Sequence, residues 1–353
     1  MKIAVIGIVG LPASYGGFET LVEQLVDTND AEFTVYCSSN RYKKKISTYK
    51  NANLIYIPLN ANGVMSVLYD IVSIIHGIAT GHRQFLILGV SGMVILPLLQ
   101  VLFPKVKTVV NIDGCEWRRE KFGMAAKLFL KYSESLAVKF ATTVVADNQV
   151  ISEDVSKRYR RSCELIAYGG DHALMTPHLK LSDNSLIFNH SFALSVCRIE
   201  PENNIHMILE AFSKSDLSII FIGNWESSDY GRSLFSSYKD YKNIKLLMPI
   251  YCLETLYTYR SACAVYIHGH SAGGTNPSLV EMMHFSKSIV AYDCSFNRAT
   301  MENRGDYFTD SDNLAHMLGN LTALDNGNAL KEIAKRRYTW DIVRKQYLKL
   351  LQV

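Results

Sequence analysis

The sequence contains seven cysteines but no Cys-x-x-Cys pair; they stand apart at Cys37, Cys115, Cys163, Cys197, Cys252, Cys263 and Cys294. That scatter indicates neither a zinc ribbon nor a disulfide framework, and it fits a reducing compartment. None of the ten histidines recurs at metal-ligand spacing on a helical stretch. His268 and His270 stand two apart on an extended run and not on a helix, and no metal or other cofactor is expected. No Ser/His/Asp or Cys/His grouping suggests a side-chain nucleophile. Lys2 to Gly7 is too short for the apolar core of a secretion leader and reads as a strand entering a glycine turn. Residues 85–103 carry no charge over nineteen positions, near the ~20 needed to span a bilayer, but Gly89, Gly92 and Pro97 interrupt them. A buried strand, a turn and a buried or membrane-facing helix from Met93 are expected instead. The nucleotide-binding pattern Gly-x-Gly-x-x-Gly is also missing. Gly7 and Gly10 are followed by Pro12 and then Gly16-Gly17, and Cys37-Ser-Ser stands where a ribose-binding acid would close the second strand, which argues against a dehydrogenase.

Charge of either sign is scarcely in excess: Lys and Arg number 37 against 33 Asp and Glu. The surplus lies in residues 1–175, with 19 basic and 15 acidic, while the remainder balances at 18 and 18. Runs such as Arg41 to Lys45 and Arg118 to Lys121 are read as a solvated face or as contacts for anionic lipid or a phosphate-bearing acceptor. No nucleic-acid partner is expected.

At 353 residues, 48% of them hydrophobic and 20% charged, the chain has material for about two globular domains. Apolar runs at 3–8, 33–37, 54–57, 85–88, 108–112, 142–145 and 164–167 alternate with helical patterns, clearest at 18–26, 64–78, 124–140 and 148–159. After a polar stretch near residue 180 the pattern restarts, with strands at 192–196, 217–222, 244–247, 264–267 and 288–292. Helical patterns accompany them at 205–214, 253–260, 278–284 and 313–324. This alternation predicts an α/β chain of two doubly wound parallel-sheet domains, at 1–178 and 184–338. The amphipathic stretch 339–353 either caps the second or packs back on the first. Ligands in such sheets sit at the carboxyl ends of strands. Two facing sheets would therefore gather loops 10–18, 113–117, 198–204 and 268–281 in one interdomain cleft.

The most telling stretch is His268-Gly-His-Ser-Ala-Gly-Gly-Thr-Asn-Pro-Ser-Leu-Val-Glu281. A glycine turn feeding a helix start offers backbone N–H groups for a phosphate, and a carboxylate one turn on accepts sugar hydroxyls. Arg198, just past a strand end, suits a diphosphate through bidentate pairing; a local ion pair with Glu200 or Glu202 is equally consistent with the sequence. Asp113, Glu116 and Trp117 supply carboxylates and an indole face for a sugar, though Glu116 could as well pair on a helix surface.

With these residues in order, the chain resembles family-4 glycosyltransferases of the GT-B fold, two facing Rossmann-like domains, and within them the bacterial capsule and polysaccharide rhamnosyltransferases. The resemblance rests on Tyr15-Gly-Gly-Phe-Glu-Thr20, Asn111-Ile-Asp-Gly114, Arg198-Ile-Glu-Pro-Glu-Asn-Asn-Ile-His206, the 268–281 stretch, and Ala291-Tyr-Asp293 with Phe296-Asn-Arg298. It implies Arg198, Glu281 and Asp113 as catalytic residues. It implies Gly16, Gly17, Asn203, Gly273, Gly274, Thr275, Asn276 and Pro277, again with Arg198 and Glu281, around the donor. It implies Phe18, Glu19, Asp113, Glu116 and Trp117 around the acceptor. Asp113 stands where many members have histidine. Gly273 replaces the first acid of a Glu-x7-Glu pattern, and Asn203 replaces a lysine. Loss of those charges is read as suited to a deoxysugar donor and not as decay, because Arg198 and Glu281 remain, although a catalytically dead relative would show the same losses.

The resemblance implies metal-free, retaining transfer of L-rhamnose from dTDP-L-rhamnose, with UDP-sugars next, onto a lipid-linked oligosaccharide. The expected location is the cytoplasmic face of the cell membrane, in peripheral contact with anionic lipid through 64–78, 93–103 and 118–131. A non-catalytic sugar-nucleotide-binding subunit and a sugar-nucleotide epimerase are the alternatives.

Overall fold

A computed structural model describes residues 1–14, 16–114, 117, 123–175 and 190–352. The chain forms two compact units, Met1–Ala167 with Trp340–Val353, and Tyr168–Thr339.

In the first unit the strands are β1 (Lys2–Ile6), β2 (Glu32–Ser38), β3 (Thr48–Tyr49), β4 (Ala52–Ile57), β5 (Gln84–Leu88), β6 (Lys107–Asn111), β7 (Thr143–Ala146) and β8 (Glu164–Leu165). They lie in the order β3-β4-β2-β1-β5-β6-β7-β8, parallel throughout except for the antiparallel β3 edge. The inner strands are apolar without alternation because both faces are covered: Ile3 to Ile6 are fully buried, as are Phe85, Leu86 and Ile87. The helices are α1 (Gly17–Leu25), α2 (Met65–Ala79), α3 (Leu96–Leu102), α4 (Met124–Phe140) and α5 (Gln149–Tyr159). The winding reverses between β1 and β5. Right-handed crossovers therefore put α1 on one face and α2 to α5 on the other.

In the second unit β9 (Phe192–Val196), β10 (Ser218–Ile222), β11 (Ile244–Leu247), β12 (Val265–His268), β13 (Ser288–Tyr292) and β14 (Asp306–Phe308) form an all-parallel sheet ordered β11-β10-β9-β12-β13-β14. Its helices are α6 (Ile205–Ser213), α7 (Asp229–Tyr238), α8 (Leu253–Ala262), α9 (Pro277–Met283), α10 (Ser295–Thr300), α11 (Ser311–Leu318) and α12 (Gly327–Arg337). Phe212, Phe221 and Trp225 fill the core on one side of the sheet. The winding reverses between β9 and β12, which opens a crevice at their carboxyl ends, where such sheets bind ligands.

The last helix, α13 (Trp340–Gln352), belongs to the first unit. It packs beside α1 and β5, Arg344 donates to the Gln24 carbonyl, and the Tyr347 hydroxyl accepts from the Asn111 amide at 2.7 Å. The two units divide earlier than the expected 178, because Tyr168 onward is bound to the second. The Gly170 N–H donates to the Tyr338 carbonyl at 2.7 Å, and the 3-10 turn Asp171–Leu174 packs on α8 and α9. The expected linker near 180 lies outside the described residues. The 85–103 run resolves into β5, a turn through Gly89 at φ +97°, the 3-10 turn Met93–Ile95, and α3. Among the described residues no helix is long and apolar enough to cross a membrane. The pattern expected to be helical at 313–324 instead breaks after Leu318, and a separate 3-10 turn, Leu321–Ala323, follows.

Candidate active site

In the second unit, the loops after β9 and β12 are stitched together across the crevice. Asn203, buried, donates its amide to the Arg198 carbonyl and accepts through Oδ1 at 2.7 Å from the His270 ring. Asn204 donates to the Gly269 carbonyl, and the Ser271 N–H and hydroxyl both donate to the Glu202 carbonyl. A Cβ on Gly269 would lie 2.0 Å from the Asn203 carbonyl oxygen, so the approach requires glycine. Asn297 of α10 ties in a third loop by donating to the His270 carbonyl. This frame leaves the Arg198 side chain outside it, 61% exposed, with Glu200 at 3.6 Å its ion-pair partner among the described residues. Arg198 is therefore available for a ligand, whereas the side chain of Asn203 is committed to holding the loops.

Glu281 on α9 is enclosed. Burial alone would push its carboxyl up, but the Arg260 guanidinium and the His172 ring outweigh that effect and hold it below the usual carboxylate range. Arg260, itself buried at the end of α8, pairs with Oε2; His172 lies 3.3 Å from Oε1. Gly170 lets the incoming chain lie against α9, since a Cβ there would stand 2.7 Å from the Glu281 backbone nitrogen. The result is an anchored carboxylate, ionised at neutral pH, with 14% of its side chain still open to a hydroxyl donor. Neither Arg260 nor His172 stands in a sequence motif that points to Glu281. Arg260 is 21 residues from its partner and His172 is 109, so no spacing rule connects them.

The helix start differs from expectation. Pro277 has no N–H, the Ser278 N–H and hydroxyl both donate to the Asn276 side chain, and the Leu279 N–H goes to the Asn276 carbonyl. The first turn of this seven-residue helix is thus capped by its own sequence and is no open cradle of donors. Asn-Pro at the N-cap and first helical positions was the readable sign. Gly273 has φ +107°, and Thr275 is buried. Gly274 lies between them in the same bend, half-buried. His268, fully enclosed, is held well below its ordinary value, first by burial and then by neighbouring His270, and stacks on Tyr266.

In the first unit, Gly16 is the extended N-cap of α1 and Gly17 opens it, with Phe18 partly buried after it. Glu19 is turned inward: its Oε1 accepts from the Val9 N–H at 2.8 Å, and burial raises its carboxyl against the backbone donors that surround it. Its side chain is spent on the β1–α1 loop. Asp113, past the end of β6, has φ +59°, and its N–H donates to Asn111 Oδ1, the amide that α13 fixes from its other end. Trp117 donates to buried Glu134 and has the Lys131 and Arg158 cations at 5.1 and 5.5 Å from its ring centre. Glu116 and the Arg118–Lys121 run lie outside the described residues. At the carboxyl ends of β1, β2 and β4, a cavity of about 310 Å³ is lined by Val9, Ser38, Asn40, Arg41, Asn60 and Asn62 among others. Three amides, a hydroxyl and a guanidinium stand around it, with the Asn40 amide donating to Asn60 Oδ1 and the Ser38 hydroxyl to the Leu59 carbonyl, and no sequence motif joins these positions. Among the described residues no group of three or more His, Cys, Asp or Glu side chains is placed to hold a metal ion.

Residues 182–335 match the family described as glycosyl transferases group 1, and residues 1–171 match a domain of unknown function, DUF1972. The stretch that matches the glycosyl transferases group 1 family is just under half of the chain. It carries Arg198, the stitched loops and Glu281; His172 precedes it in the chain and reaches Glu281 from outside the matched range. Among solved structures, the chain is similar to sucrose-phosphate synthase from Thermosynechococcus elongatus, at 15% identity and TM-score 0.82, covering 99% of this chain and 98% of that one. It is also similar to Anabaena Alr3699/HepE in complex with UDP-glucose, at 16% identity and TM-score 0.71, covering 100% and 99%. A glycosyltransferase from Rickettsia africae matches at 12% identity and TM-score 0.73, covering 99% and 97%. At such identities the likeness shows the fold, and the fold is GT-B. None of the curated proteins compared matches the chain.

Proposed function

We propose that this glycosyltransferase takes its sugar from a nucleoside diphosphate and transfers it with retention of configuration. The observation that carries the reading is the Glu281 carboxylate, kept ionised by Arg260 and His172 inside a glycosyltransferase group 1 domain, with an uncommitted Arg198 at the switch-point crevice. Glu281 accepts the nucleotide's ribose hydroxyls, and Arg198 balances charge on the diphosphate as the glycosidic bond breaks. The incoming hydroxyl gives its proton to the departing phosphate on the same face of the sugar, so no side-chain nucleophile and no metal takes part. The Anabaena relative was solved with UDP and with UDP-glucose, which supports a nucleotide-sugar donor.

L-Rhamnose from dTDP-L-rhamnose is the donor sugar we favour. Gly273 at φ +107° leaves no side chain where a carboxylate would meet a further hydroxyl, and a deoxysugar lacks one hydroxyl. The acceptor is a lipid-linked saccharide of capsule, exopolysaccharide or O-antigen synthesis at an anionic membrane face, and the amide-lined cavity of the first unit suits its sugars.

A calorimetric panel of dTDP- and UDP-sugars, followed by turnover with the tightest binder, tests the reading. Tightest binding of dTDP-L-rhamnose and its consumption in the presence of chelator are expected. Binding without turnover would instead support a non-catalytic subunit, and conversion of donor without acceptor an epimerase.

A further inference from the structure

Three helices of the first unit expose apolar side chains on their outer faces. On α2 these are Met65, Leu68, Val72 and Ile75, which follow one helical stripe from Val64, 90% exposed. On α3 they are Leu98, Val101 and Leu102, with Phe103 just beyond; on α4 they are Met124, Leu128, Phe129 and Tyr132. The helices form one layer, since α3 and the turn before it pack on α4 and the same turn packs on α2. A soluble surface rarely leaves more than a few hundred Å² of continuous apolar area uncovered.

Charge distinguishes what covers this layer. The only acids on the three helices are Asp70 and Glu134, both buried, whereas Lys127 and exposed Lys131 rise from α4 and Lys105 follows α3. Apolar faces edged by lysine without exposed acid match an anionic lipid interface better than a second copy of the chain, which would bring like charges together. The layer also adjoins the amide-lined cavity, whose Asn62 is two residues from Val64. A membrane under the layer would bring a lipid-linked saccharide to that cavity.

We infer that the outer faces of α2, α3 and α4 together lie in the headgroup region of an anionic bilayer, as one platform with the helices parallel to the surface. This deepens the lipid-linked-acceptor reading but rests on residues outside the donor site. The full chain is floated with vesicles of phosphatidylcholine alone and of phosphatidylcholine with phosphatidylglycerol, at low and high salt, beside Leu68→Glu, Val101→Glu, Leu128→Glu and the control Tyr251→Glu on the second unit. Salt-sensitive flotation with the anionic vesicles is expected for the wild type and the control, and a loss of about tenfold or more for each platform variant. Circular dichroism and donor affinity should be unchanged in those variants, which separates failure of the platform from failure of the transfer reading. No flotation of the wild type, or platform variants that float as it does, would overturn the inference. So would self-association of the wild type that the same substitutions abolish without any flotation.

Discussion

Glu281 and Arg260 show how strongly one residue here depends on another. Removing Arg260 alone leaves a buried carboxylate with only His172 beside it, and removing one partner of a buried pair costs about 3–5 kcal/mol. Arg260→Met should therefore destabilise the protein by that order, and Arg260→Met with Glu281→Met by much less; denaturant midpoints of both variants check this. Asp70 on α2 is a different case. It is buried and accepts from the Gly92 N–H, and desolvation outweighs that bond and raises its carboxyl from 3.8 to about 7. A raised acid favours folding while protonated. That contribution is whole below the ordinary 3.8 and is lost as pH climbs through about 7, where the separation corresponds to on the order of 4 kcal/mol. Asp70→Asn keeps an acceptor for Gly92 and removes the ionisation. Thermal midpoints should show the variant gaining on the wild type at pH 8 and losing that advantage towards pH 4.

At the scale of elements, the loop from His268 to Asn276 combines one strained residue with many committed ones. Gly273 at φ +107° lies in a region that L side chains rarely adopt, and a Cβ there would meet the His270 ring at 3.3 Å. Gly273→Ala should cost on the order of 1 kcal/mol of stability and weaken donor affinity, read from the melting midpoint and from calorimetry. The same loop shows how far the sequence could be read. Strands buried on both faces appear as unbroken apolar runs, so β9, β10, β12 and β13 could be placed within a residue or so. A stretch such as α12, Gly-Asn-Ala-Leu-Lys-Glu-Ile-Ala-Lys-Arg-Arg, carries too few apolar positions to declare its period. The strand and helix pattern places Arg198 just past β9 and Glu281 on α9, where the structure has them. It could not reveal that Asn203 and Glu19 turn inward, because a polar side chain at a loop looks the same in sequence whether it meets a ligand or its own backbone.

At the scale of the whole molecule, the C-terminal helix completes the first unit from the far end of the chain. Its Trp340, Val343, Tyr347 and Leu351 are buried there, and Tyr347 holds Asn111, which in turn holds Asp113 in its left-handed conformation. Tyr347→Phe leaves a buried amide without this partner and should cost about 1–3 kcal/mol, seen as a lowered denaturant midpoint. Deleting residues 340–352 should abolish the cooperative unfolding of the first unit.

We propose that a sugar leaves a nucleoside diphosphate beside Glu281 and Arg198, both in the second unit. Release of nucleoside diphosphate from the tightest-binding sugar donor, followed for the wild type, Glu281→Gln and Arg198→Ala, tests it most directly. The account predicts turnover by the wild type and a loss on the order of 100-fold in each variant per folded molecule, with the folded fraction read by circular dichroism because Glu281→Gln also leaves buried Arg260 without its partner. Variants that turn over at the wild-type rate would contradict it.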